Sequence, residues 1–248
     1  MPKDFSAPLE TLASGLAHHQ AGRLAEAEAA YRAVLAADPA QPSALFLLGL
    51  LLLAAARPTE AEPLLAAAAS LRPTHAETLF AHANALHHSG DRAAAIARFR
   101  AVLALDPDHP GARVNLSNAL RETGAPEAAL AEAEAACRIC EKSAPAETTR
   151  AAALLALKRP EEAVSAYRAA IAADRSHAPA HAGLAAALLH AERPAEALAA
   201  ADCALLVAPK LAEAEFLRAM ALAKLGTAPA AIAGLERAIA RDPAHAKA

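Results

Sequence analysis

The chain has no tryptophan and few other aromatics, five phenylalanines and two tyrosines in 248 residues. So sparse a supply argues against an aromatic platform on which nucleic-acid bases stack. Basic charge is not in excess either. Lys and Arg number 24 against 27 Asp and Glu, a net charge of −3, which leaves no electropositive footprint for a phosphate backbone. Three cysteines are too few for a disulfide framework. Long apolar runs are missing: the longest, Ala44 to Ala56, falls short of the roughly 20 residues that span a bilayer. The opening segment from Met1 to Ser6 lacks the apolar core of a signal peptide. Together these absences point to a cytoplasmic protein that binds neither nucleic acid nor membrane.

What is present is periodic alanine. Ala27, Ala61, Ala95, Ala129, Ala163, Ala197 and Ala231 are each 34 residues apart. That period is the mark of stacked helix–turn–helix units. Counting units from 8, 42, 76, 110, 144, 178 and 212, the alanines occupy position 20 of each. Position 8 is also small: Gly15, Gly49, Ala83, Ser117, Ala151, Ala185 and Ala219. Position 11 is leucine from Leu52 to Leu222, and position 24 is large in Tyr31, Leu65, Phe99, Tyr167 and Leu235 but alanine in Ala133 and Ala201. Two helices approach closely only where side chains are small, and large neighbours then fill the flanks. Asp38-Pro39, Asp106-Pro107 and Asp242-Pro243 predict the ends of second helices. Pro58, Pro126, Pro160 and Pro194 predict their starts, and Gly22, Gly90, Gly124 and Gly226 predict the turns within units. Alternation of period two is absent, so no strand is expected.

This small–large–small–large order resembles the tetratricopeptide repeat family over almost the whole chain. The family's aromatic at position 4 is missing, with Leu45 and Leu79 the nearest substitutes. The resemblance implies an all-α, right-handed superhelical solenoid of seven repeats. Residues 1–7 form an N-terminal tail. The repeats run 8–41, 42–75, 76–109, 110–143, 144–177, 178–211 and 212–245, and residues 246–248 form a C-terminal tail. A narrower similarity joins Asn115-Leu-Ser-Asn-Ala-Leu and Ala44-Leu-Phe-Leu-Leu-Gly to the repeat arm of bacterial O-linked N-acetylglucosamine transferase-like proteins.

Chemistry-bearing residues are scattered. Cys137 and Cys140 form a C-x-x-C at the end of a second helix rather than at a helix N-terminus, where the dipole would lower a thiol pKa. Cys137 stands at position 28, elsewhere Leu or Ile, and is expected to be an inert core residue. His75, His109, His177 and His245 share position 34, too far apart to meet on one ion, and are expected to be exposed loop residues. No carboxylate or third histidine completes a zinc set, and no nucleophile elbow or phosphate loop is present. No metal, no cofactor and no catalysis are expected.

In the family, positions 2, 5, 9, 12 and 13 of first helices line the concave face. Carried over, that rule gives a partner-binding groove of Leu12, Leu16, Phe46, Leu50, Leu53, Phe80, Asn84, His87, His88, Val114, Asn118 and Arg121. Repeats five and six contribute mostly small residues. Position 5 carries no lysine, which argues against capture of a terminal carboxylate. The apolar run suits an amphipathic helix or extended segment of a protein partner, or is covered by the chain itself, with Phe5 among the candidates. The expected function is therefore a protein-interaction scaffold. The alternative is the substrate-recruiting arm of a larger glycosyltransferase or other transferase whose catalytic domain lies elsewhere. Ile232, Leu235 and Ile239 of the seventh repeat are expected either to support self-association or to be covered by further chain.

Overall fold

A computed structural model describes residues 6–241. Among the described residues there are fourteen helices and no strand. The chain forms two compact units, residues 1–119 and 120–248.

In the first unit the helices are α1 (Ser6–Gln20), α2 (Leu24–Ala37), α3 (Pro42–Ala54), α4 (Pro58–Leu71), α5 (Ala76–Ser89) and α6 (Arg92–Leu105). The next, α7 (Pro110–Glu122), runs across the division. Odd and even helices pair as hairpins, and α2 and α4 pack in turn on α3 and α5. The position-20 alanines Ala27, Ala61 and Ala95 are fully buried, as are Tyr31, Leu65 and Phe99. Small and large residues meet as the sequence demands: a methyl on Gly49 would lie 2.5 Å from Leu65, and one on Gly15 2.8 Å from Tyr31. Tyr31, Leu48, Leu51, Leu52 and Leu65 form the bulk of one continuous core.

The second unit continues with α8 (Pro126–Ile139), α9 (Ala144–Ala156), α10 (Pro160–Ala173), α11 (Ala178–His190), α12 (Pro194–Val207), α13 (Ala212–Lys224) and α14 (Ala228–Arg241). Its core centres on Leu154, Val164, Tyr167, Leu184, Leu188 and Leu217. Alanines fill the close approaches, with Ala129, Ala163 and Ala197 fully buried. Glu215, 5% exposed, is an ionic anchor that periodicity did not reveal. Its carboxylate takes Arg237 at 3.4 Å and Arg241 at 3.2 Å, tying α13 to α14.

The expected punctuation is in place within the described residues. Asp38 and Asp106 end α2 and α6, and Pro58, Pro126, Pro160 and Pro194 open α4, α8, α10 and α12. Gly22, Gly90, Gly124 and Gly226 have positive φ. The stop at Asp242-Pro243, His245 and any cover by Phe5 lie outside the described residues. One expectation is corrected. Two of the position-34 histidines, His75 and His109, are not idle loop residues but cap the next first helix, whereas His177 makes no side-chain cap bond to α11. His75 Nδ1 accepts from the Thr78 amide, and His109 Nδ1 from the Ala112 amide, each at 3.2 Å. Imidazole here does what Gln41 and Ser143 do in their own units.

Candidate functional site

First helices place the expected groove residues. In the first unit Leu12, Phe46, Leu50 and Leu53 are half-buried, and they pack on the core of Tyr31, Leu48, Leu51 and Leu65. Leu16 is more open, at 40% exposure. These side chains are therefore the rim of a core, held in place from beneath, with their outer surfaces left to solvent. Close packing accounts for part of their cover.

The two phenylalanines of this face are held by the capping histidines. Phe46 meets the His75 ring edge-on, with centroids 6.3 Å apart. Phe80 lies 4.6 Å from the His109 ring and 6.1 Å from Phe99. Phe80 also fills the space a methyl on Gly111 would need. Its ring is thus engaged on several sides within the unit, and it offers a partner less surface than sequence position suggests.

The polar part of the face is also knit together. Asn84 Oδ1 accepts from Asn115 Nδ2 at 2.7 Å, so the two asparagines singled out by different resemblances bond to each other. His87 is half-buried and His88 exposed, with their rings 5.8 Å apart. Val114 and Asn118 are half-buried on α7. Arg121 belongs to the second unit, where its guanidinium lies 3.9 Å from Glu122.

Sequence reasoning missed a recess in the first unit. Leu53, Ala56, Pro58 and His88 surround a cavity of about 310 Å³ at the turn between α3 and α4. Its signal was legible as the string Leu53-Ala-Ala-Ala-Arg-Pro58. Arg57 clamps that turn through Glu60 at 2.7 Å and Glu28 at 2.9 Å.

The cysteines lie in the second unit and are all free. Cys137 is half-buried rather than fully inside, and burial first, then the Glu147 carboxylate, pushes its thiol up to about 11. A thiol so rarely ionised is a poor nucleophile. Among the described residues no group of three His, Cys, Asp or Glu is placed to hold a metal ion. None of the described helices is long and apolar enough to cross a membrane.

Comparison with curated proteins finds no match. Two family models, both described as tetratricopeptide repeat, do match, one over residues 86–136 and the other over 12–76 and 148–208. Among solved structures, a tetratricopeptide repeat protein from Parabacteroides merdae superposes with a TM-score of 0.81. It is 17% identical, over 95% of this chain and 93% of that one. TTC0263, a thermophilic repeat protein of Thermus thermophilus, is 26% identical with a TM-score of 0.63, over 74% of this chain and 98% of its own. YrrB, described as a repeat protein with an unusual peptide-binding site, is 20% identical with a TM-score of 0.52, over 74% and 97%. The recruiting-arm alternative gains nothing from these relatives, and repeat proteins of this type are typically non-catalytic scaffolds. Helix pairs in a 34-residue register, the small-against-large seam and both family models place the chain in the tetratricopeptide repeat family, whose fold generally mediates contacts between proteins.

Proposed function

We propose that this protein is a cytoplasmic interaction scaffold that lays a segment of a partner protein along the first-helix face of its first unit. Leu16, Phe46, Leu50 and Leu53 form the contact. The observation that carries the reading is the seating of these four residues. All four are large, apolar and open in part to solvent, and Phe46, Leu50 and Leu53 are packed on the core of the unit. Such a rim needs no rearrangement before it binds, so little ordering entropy opposes association. Burying it gains roughly 25 cal/mol per Å² of apolar surface. An amphipathic helix or an apolar extended segment suits the stripe, and the peptide-binding site ascribed to YrrB lends the mode a precedent on the same fold.

The test is affinity capture by the intact protein, compared with a Leu16→Glu, Leu50→Glu double variant. Unchanged circular dichroism would establish that the variant is folded. Partners identified with the wild type should be lost from the variant. Phe46→Ala should weaken a captured partner by about 1–3 kcal/mol in calorimetry. Retention of the same partners at equal affinity by the double variant would overturn the reading.

A further inference from the structure

The outer side of α12, in the second unit, carries an exposed line of its own. Glu196, Ala199, Cys203 and Leu206 follow one another at the three- and four-residue spacing of one helix face, and all are exposed. Lys210, just past the helix end, is exposed as well. Leu206 is 84% open to solvent, more than any other large apolar side chain among the described residues. So bare a leucine on a well-formed helix finds almost no cover in its own unit.

A recess lies beside it. Ile171 of α10, Leu184 and Leu188 of α11, and Ala199, Ala200 and Cys203 of α12 line a cavity of about 350 Å³. Arg168 and Glu196, 3.1 Å apart, mark its polar rim. Two second helices wall this recess. Its first-helix leucines stand at positions 7 and 11 of their repeat, outside the concave set. It is therefore separate from the face on which first helices meet a partner.

Projecting leucine and recess share one helix, and a surface that carries both is complementary to itself. Two α12 helices laid antiparallel about a two-fold axis at Cys203 bring each residue opposite the one equally far beyond Cys203. In that register Leu206 faces Ala200 of the second copy, Val207 faces Ala199, and Lys210 faces Glu196. Each large apolar residue meets an alanine, which lets the helices approach closely. Each lysine meets a glutamate, and Asp202 faces Ala204, so no like charges oppose one another. Glu196 already holds Arg193 at 2.7 Å and Arg168 at 3.1 Å. Lys210 therefore contributes to register more than to affinity.

We propose that α12 is a docking surface for a second copy of this chain. The two α12 helices pair antiparallel, and each Leu206 enters the recess of the other copy beside Ala200.

The experiment uses the full chain and a short bismaleimide crosslinker, with the linked residues located by mass spectrometry. Cys203 is exposed, whereas Cys137 and Cys140 are half-buried, and the two-fold axis brings two Cys203 thiols together. The wild type should give a covalent dimer joined Cys203 to Cys203. Leu206→Glu keeps the thiol in place and should lower the yield by about tenfold or more. Leu206 is so exposed that the change leaves the fold intact. Lys210→Glu, which sets acid against acid, should also lower it. Register is read from a mixture of Ala199→Cys and Val207→Cys, each combined with Cys203→Ser. Links between the two variants should outnumber links within either one. Ile232→Glu with Ile239→Glu, on α14, should leave the Cys203 link unchanged. Absence of that link, an equal yield in Leu206→Glu, or links within each variant as frequent as those between them would overturn the proposal.

Discussion

One backbone position repeats its conformation throughout the described chain. Residues Gly22, Ala56, Gly90, Gly124, Lys158, Glu192 and Gly226 all have positive φ, between 55° and 94°. The turn demands a left-handed residue there, so that the amide of the next residue can bond back to a carbonyl of the first helix, as Arg57 does to Leu52 at 2.8 Å. Glycine adopts this geometry freely, whereas a side chain is crowded against the backbone. Ala56→Gly, Lys158→Gly and Glu192→Gly should each raise stability by about 0.5–1 kcal/mol in chemical denaturation. A loss of stability in all three would contradict this account.

His82 makes a second residue-level case. It is buried where neighbouring repeats carry Leu48 and Leu116, and Glu62 lies 3.3 Å from its Nε2 while Nδ1 has no partner. Burial lowers its pKa below 6.5, with Arg98 adding to that effect and Glu62 opposing it. The folded state therefore holds a neutral imidazole. This contribution to stability is full above the unfolded value near 6.5 and is lost as pH falls from there to the lower folded value. His82→Leu should remove that pH dependence and stabilise the protein by about 1 kcal/mol at pH 6. Thermal melts of both proteins between pH 5 and 8 check it; parallel curves would refute it.

At the scale of elements, helices are not equally secured. In the second unit α8 buries only Ala129, Ala133 and Ala136, whereas α10 buries Val164 and Tyr167 as well as alanines. The turn after α8 also holds Lys142 at φ 59°, a left-handed residue outside the repeating register. Less apolar area per helix means a lower free energy of local opening. Hydrogen exchange within residues 133–160 should be fastest among internal helices, with α8 amides opening about tenfold more readily than those of α10. Uniform protection would argue against a weak joint. Helix pairing of this sort was legible in advance because period, proline and glycine act locally or recur at fixed distance. The Asn84–Asn115 bond, the ring of His109 on Phe80 and the Glu215 clamp were not, since each joins residues of different elements whose side-chain directions periodicity leaves open. The histidine caps lay between these cases: their spacing was plain, but imidazole is an unusual acceptor at a helix start. The proposed groove was legible as a stripe of large apolar residues at first-helix positions.

For the molecule as a whole, the apolar side chains that α14 exposes among the described residues set an expectation about assembly. Ile232 is 58% exposed and Ile239 43%, two turns apart on the same helix face. Small apolar patches of this kind support weak, concentration-dependent association. With Leu206→Glu in place, sedimentation should still show a monomer–dimer equilibrium, and adding Ile232→Glu and Ile239→Glu should leave a monomer. A wild type that is strictly monomeric at high concentration would exclude association through this face.

The scarcity of aromatics has an optical consequence. With no tryptophan to dominate the emission, fluorescence excited beyond the phenylalanine absorption comes from Tyr31 and Tyr167 alone. One sits in each compact unit, and both are buried, at 0% and 4% exposure. Each unit thus carries its own natural chromophore. Replacing either tyrosine by phenylalanine leaves a light signal from the other, so the melting of the two halves can be followed separately without adding a dye.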